Sequence, residues 1–121
     1  MSERVQRSGR LQVQERGDVT VVGFLDKKIL DESNIEEIGR QLFEIVEKHP
    51  QIKLLVNFAN VQYLSSAALG KLITLNKRVA EGNGKLVLCS IRPQIYEVFK
   101  ITKLNRIFDI VDDEATALAR F

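Results

Sequence analysis

Two adjacent hydroxyls, Ser65 and Ser66, are the residues in this 121-residue chain most open to chemistry. They sit at a junction. The apolar run LLVNFANV precedes them and the helical-looking LGKLITLNKRVA follows. A serine at a helix start is a good N-cap, worth about 1 kcal/mol. A helix start is also where an added phosphate alters most, because orphan N–H groups and the positive end of the macrodipole gather there. A phosphoserine adds a charge of about −1.5 to −2. The carrier fold tolerates that charge, while a partner pressed against the helix end is repelled. Small neighbours, Ala67 and Ala68, let a partner approach closely.

The other reactive residue types form no catalytic constellation. His49 is the single histidine and stands beside Pro50 at the predicted end of a helix, where a solvent-facing residue is expected. A Ser-His-Asp triad would have to use it, and nothing in the spacing brings it to Ser65 or Ser66. Gly82-Asn83-Gly84-Lys85 precedes a strand and does not open a helix, so it is not a phosphate cradle. Cys89 falls inside a buried-strand pattern and reads as a small core residue. Asp109, Asp112, Asp113 and Glu114 read as a solvated helix start. No metal-ligand cluster is found, and neither metal nor cofactor is expected.

Bulk composition agrees with a small binding domain. The chain is 45% apolar and 28% charged, with 18 basic and 16 acidic residues and a net charge of +2. That balance argues against nucleic acid and against an anionic membrane as partner. One cysteine cannot form an internal disulfide, no apolar run reaches the length of a membrane span, and MSERVQRSGR lacks the apolar core of a signal peptide. A soluble, cytoplasmic protein is expected, as a monomer or weak dimer.

The elements that must position the two serines follow from periodicity. Residues 1–9, polar and arginine-rich, predict a flexible arm, and residues 10–121 a single domain. LQVQERGDVTVVGF alternates around Gly17-Asp18 and predicts a hairpin. LDKKILDESN is a loop with Ser33 or Asn34 as cap of a helix carrying Ile35, Ile38, Leu42, Phe43, Ile45 and Val46. That helix ends near His49-Pro50. IKLLVNF and KLVLCS read as strands covered on both faces. Between them runs a helix from Ser66, stopped by Gly82-Asn83-Gly84. Pro93 opens a third helix with the stripe Ile95, Val98, Phe99 and Ile101. IFDIV is a short strand and DDEATALARF a last helix. The order β-β-α-β-α-β-α-β-α predicts an α/β fold, a mixed four- to five-stranded sheet with about four helices.

With these elements in place, VNFANVQYLSSAALGKLI resembles the signature of STAS domains, the family of anti-sigma factor antagonists. In that family an apolar strand and short loop lead to Asp-Ser-(Ser/Thr)-Gly-Leu-Gly at a helix start. GFLDKKIL is similar to the family's G-x-L-D loop, with Asp26 as its acid, and GNGKLVLCSIRPQIYEVFKITKLNRIFDI is similar to its C-terminal half. The resemblance implies a STAS-like fold and partner switching. An anti-sigma factor serine kinase is bound, phosphorylates the domain and is lost as a partner, and a serine phosphatase resets the system. It places the phosphoacceptor on Ser66, with Ser65 the alternative, and puts Asp26, Leu64, Ser65, Ala67 and Leu69 in or near the docking surface. The sequence departs from the pattern at three places: the family's Asp is Ser65, its second hydroxyl is Ala67 and its first Gly is Ala68. A constitutive interaction module without phosphorylation is therefore the competing reading, followed by a nucleotide or small-ligand sensor.

Overall fold

A computed structural model describes residues 5–121. A sheet of six strands forms its centre, in the spatial order β1 (Val5–Ser8), β2 (Leu11–Arg16), β3 (Val19–Phe24), β5 (Lys53–Asn57), β7 (Lys85–Cys89) and β8 (Asp109–Val111). Strands β2 (Leu11–Arg16) and β3 (Val19–Phe24) form the predicted antiparallel hairpin, and Gly17 takes the left-handed conformation at its turn with φ of +63°. Strands β5 (Lys53–Asn57), β7 (Lys85–Cys89) and β8 (Asp109–Val111) continue the sheet in parallel from β3. These are the five strands read from the sequence. β1 (Val5–Ser8) adds a sixth, antiparallel to β2, where the sequence predicted part of a flexible arm. Its sequence, VQRS, carries one apolar residue, and an edge strand held by backbone bonds needs no periodic pattern. The rest of the expected arm, residues 1–4, lies outside the described residues.

Helices α1 (Glu32–Lys48), α2 (Ser66–Glu81) and α3 (Pro93–Ile101) are the crossovers between parallel strands. They cover one face of the sheet, where Val22, Phe24, Leu54, Val56 and Leu88 meet Leu42, Leu72, Leu75 and Phe99. The opposite face carries Val19, Val21, Leu55, Val87 and Cys89, capped by Ala117 of the short helix α4 (Glu114–Leu118). Burial on both faces explains the unbroken apolar runs of β5 and β7. Helix α1 starts at Asp31, not at Ser33 or Asn34. The Asp31 carboxylate accepts the Ser33 amide at 3.4 Å. No helix among the described residues is long and apolar enough to cross a membrane.

Two short strands absent from the sequence reading, β4 (Lys28–Ile29) and β6 (Tyr63–Leu64), pair in parallel as a separate two-stranded ladder. They zip the loop after β3 to the loop before α2.

Candidate functional site

The segment between β5 and α2 is fixed at every turn. Phe58 is fully buried and packs on Phe24 with ring centroids 5.2 Å apart, and its N–H donates to the Cys89 carbonyl at 3.0 Å. The Asn57 side-chain oxygen accepts the Ala59 amide at 2.8 Å. Asn60 donates to the Phe24 and Leu25 carbonyls at 2.9 and 3.1 Å. Arg92 reaches the Ala59 carbonyl at 3.1 Å. The chain then joins β4. The Lys27 carbonyl accepts from Gln62 at 2.7 Å and from Tyr63 at 3.2 Å, and the Ile29 carbonyl accepts the Ser65 amide at 3.1 Å.

The two hydroxyls part company at this point. Ser65 has extended backbone and is the N-cap of α2; its side-chain oxygen accepts the Ala68 amide at 3.2 Å. Ser66 is the first helical residue, exposed, and no hydrogen bond holds its hydroxyl among the described residues. Ala67 is exposed as well, while Ala68 and Leu69 turn into the core. The first turn of α2 contains no acidic residue, so no carboxylate of that turn offsets the positive end of its dipole. An anion on Ser66 would therefore meet amide N–H groups and open solvent without displacing packed atoms.

Asp26 adjoins this site through the backbone of the β4 loop, and its carboxylate is already engaged. Arg10 Nη1 lies 3.0 Å from both of its oxygens. Arg10 also donates through Nε to Glu37 at 3.2 Å, and Glu37 accepts from Gln41 at 3.1 Å. The bond to Asp26 holds the Arg10 pKa above its ordinary value. This latch ties the start of β2, the loop after β3 and helix α1 together. Leu64 is half-buried against the main core.

Between the start of α2 and helix α3 the structure opens a cleft that the sequence reading missed. Tyr63, Leu64 and Leu69 form one wall, Ile95 and Val98 of α3 the other, enclosing about 250 Å³. Ile101, assigned to a buried stripe with Val98, is 78% exposed, and Val98 is partly so. On a helix, residues two apart are separated by about 160°, so Phe99 and Ile101 cannot share a core face. The signal was available: four apolar residues in seven make too wide a stripe for a nine-residue helix. Ile73 likewise points outward from α2.

The remaining reactive residues hold structural positions. His49 is the exposed C-cap of α1, its Nδ1 3.0 Å from the Ile45 carbonyl. Cys89 is buried, and burial pushes its thiol pKa up. The acidic group disperses. Asp109 pairs with Arg120, Asp113 caps α4 by accepting the Thr116 amide at 2.8 Å, and Glu114 accepts from Asn57 at 2.8 Å and pairs with Arg16 at 3.1 Å.

Comparison with known proteins agrees with this architecture. The chain is 28% identical over 93 residues to BtrV of Bordetella bronchiseptica, assigned as an anti-sigma factor antagonist, covering 77% of this chain and 79% of that one. Among solved structures, an anti-sigma-factor antagonist (STAS) domain protein from Planctomyces limnophilus superposes with a TM-score of 0.82 at 24% identity, covering 91% of this chain and 96% of that one. The Bacillus cell fate determinant SpoIIAA in its phosphorylated form superposes with a TM-score of 0.66 at 16% identity, covering 98% of each chain. The STAS domain family matches residues 10–117, and the chain belongs to that family.

Proposed function

We propose that this STAS protein is an anti-sigma factor antagonist that binds a serine-kinase anti-sigma factor and is released from it by phosphorylation of Ser66. The observation that carries this reading is the division of labour between the two serines. Ser65 is occupied as a cap, whereas the Ser66 hydroxyl is free and exposed at the mouth of α2. In the transfer, the Ser66 oxygen bonds to the γ-phosphorus of the kinase's ATP, the hydroxyl proton leaves, and ADP departs. The product charge sits on the docking face and raises the cost of the complex by repulsion and desolvation. Leu64, Ala67 and Leu69 supply the apolar and small contacts around it, and Asp26 acts there by anchoring the β4 loop. A serine phosphatase restores the binding form. The setting is cytoplasmic, and the protein itself performs no catalysis.

The structural relation to a protein known in a phosphorylated form supports this reading. A constitutive interaction module is the second reading, favoured by Ser65, the N-cap of α2, standing where the family pattern has an acid just before the acceptor. Binding of the Ser66→Ala and Ser66→Asp variants to the kinase partner separates the two. The switch requires Ser66→Ala to bind like the unmodified protein and Ser66→Asp to bind at least about tenfold more weakly. Equal binding of both leaves the constitutive module.

A further inference from the structure

We propose that the cleft between the start of α2 and helix α3 receives an acidic amphipathic helix of the partner protein, an inference that deepens the switch reading and rests on it for the partner's identity. Ser66, Leu69 and Ile73 are spaced three and four residues apart and share one flank of α2. That flank faces Val98 across the cleft through Leu69. One turn beyond Val98, Ile101 continues the apolar surface, and Ile107 beyond it is 54% exposed.

The charge around this surface is one-sided. Lys28 stands 5.6 Å from the centre of the Tyr63 ring. Lys100, Lys103 and Arg106 are exposed along α3 and the turn that follows it. Glu97 is the one carboxylate from Pro93 to Phe108, and Lys100 pairs with it at 3.4 Å. Among the described residues Lys103 and Arg106 have no carboxylate partner. An apolar cleft beside unpaired cations complements a helix with apolar residues on one face and Asp or Glu at its margins. The concavity favours a helix ridge over a bilayer, which a flat or convex apolar surface fits better. The same chemistry explains how the switch would act. A phosphate on Ser66 stands on the flank that the acidic helix must approach, and repels it directly.

The test uses two designed helical peptides of equal length, both with leucines at i, i+4 and i+7. One carries glutamate at the flanking positions, the other lysine. Binding to the full chain is followed by calorimetry and by amide shifts. The acidic peptide is expected to bind at least about tenfold tighter than the basic one, with shifts concentrated at Tyr63, Leu69, Val98 and Ile101. The double variant Lys103→Glu, Arg106→Glu is expected to abolish that preference, and Ser66→Asp to weaken the acidic peptide several-fold. Absence of binding, equal affinity for the two peptides, or shifts elsewhere overturns the proposal. So does concentration-dependent movement of the same amides without peptide, which marks a second copy as the occupant. Binding to phosphatidylglycerol vesicles that the double variant loses, with no preference between peptides, assigns the surface to a membrane and overturns it equally. Phosphate uptake at Ser66 with no peptide preference sinks this surface and leaves the switch standing. A clear acidic preference with Ser66 never phosphorylated does the reverse.

Discussion

The Ser65 side-chain oxygen accepts the Ala68 amide at 3.2 Å, and that bond separates two adjacent hydroxyls into a structural one and a free one. Ser65→Ala should therefore lower stability by about 1 kcal/mol, the ordinary worth of an N-cap, with Ser65→Asp restoring it. Ser66→Ala, one residue on, should stay within about 0.5 kcal/mol of the parent. Urea denaturation measures all three, and a larger loss for Ser66→Ala than for Ser65→Ala contradicts the assignment.

The Arg10–Asp26 contact should govern the order of the β4–β6 ladder more than global stability. Solvent screening leaves a partly exposed ion pair of this kind little weight in global stability. The Lys27 carbonyl, however, follows directly on Asp26 and accepts from both Gln62 and Tyr63. Asp26→Ala is expected to speed amide exchange at Gln62, Tyr63 and Ser65 by about tenfold while leaving Leu54 and Val56 protected. Unchanged exchange at those three amides refutes the latch.

Two glycines should respond oppositely to alanine. A Cβ at Gly84 would come within 2.5 Å of the Ile52 carbonyl oxygen and 3.1 Å of Val79, and backbone cannot yield cheaply. Gly84→Ala should cost about 1–3 kcal/mol. At Gly70, within α2, a Cβ would meet nothing within 4 Å, so Gly70→Ala should gain up to about 1 kcal/mol from helix propensity. Thermal denaturation of the pair checks both signs.

Acid should weaken the fold through Asp18 and Asp113. Hydrogen bonding to Lys53 lowers the pKa of Asp18 below 3.8, and the Thr116 amide lowers that of Asp113. A depressed carboxylate contributes stability that is complete above its unfolded pKa and is lost as pH falls through the lower folded one, here as pH falls below about 4. Asp113→Asn keeps a capping oxygen and removes the titration. Its melting temperature should fall less steeply over that window than the parent's, and parallel curves would contradict the assignment.

Much of this architecture was legible in the residues. The alternation of β2 and β3, the apolar runs of β5 and β7, Pro93 at the first turn of α3 and Asn83 in left-handed conformation after α2 each carry a local signal. What escaped was held by backbone bonds or by tertiary geometry. β1 and the β4–β6 ladder pair through main-chain groups over four and two residues, too short for periodicity to register. In DESN, three side chains compete to cap α1, and the choice of Asp31 over Ser33 or Asn34 depends on a register shift of two or three residues. The junction at Ser65–Ser66 was evident from strand, hydroxyl and helix in succession. Which serine caps and which faces solvent needed the position of Ala68. The cleft escaped because Val98 and Ile101 carry core-type side chains, and only the excess width of their stripe on a nine-residue helix speaks against burial.

The most direct test of the switch is phosphosite mapping. The protein is incubated with the proposed serine-kinase anti-sigma factor and ATP, the products are mapped by mass spectrometry, and the complex is followed in the same reaction. The account predicts one phosphate, on Ser66, and dissociation of the complex as it accumulates. Modification of Ser65 instead, modification of neither serine, or a complex that survives phosphate on Ser66 would contradict it.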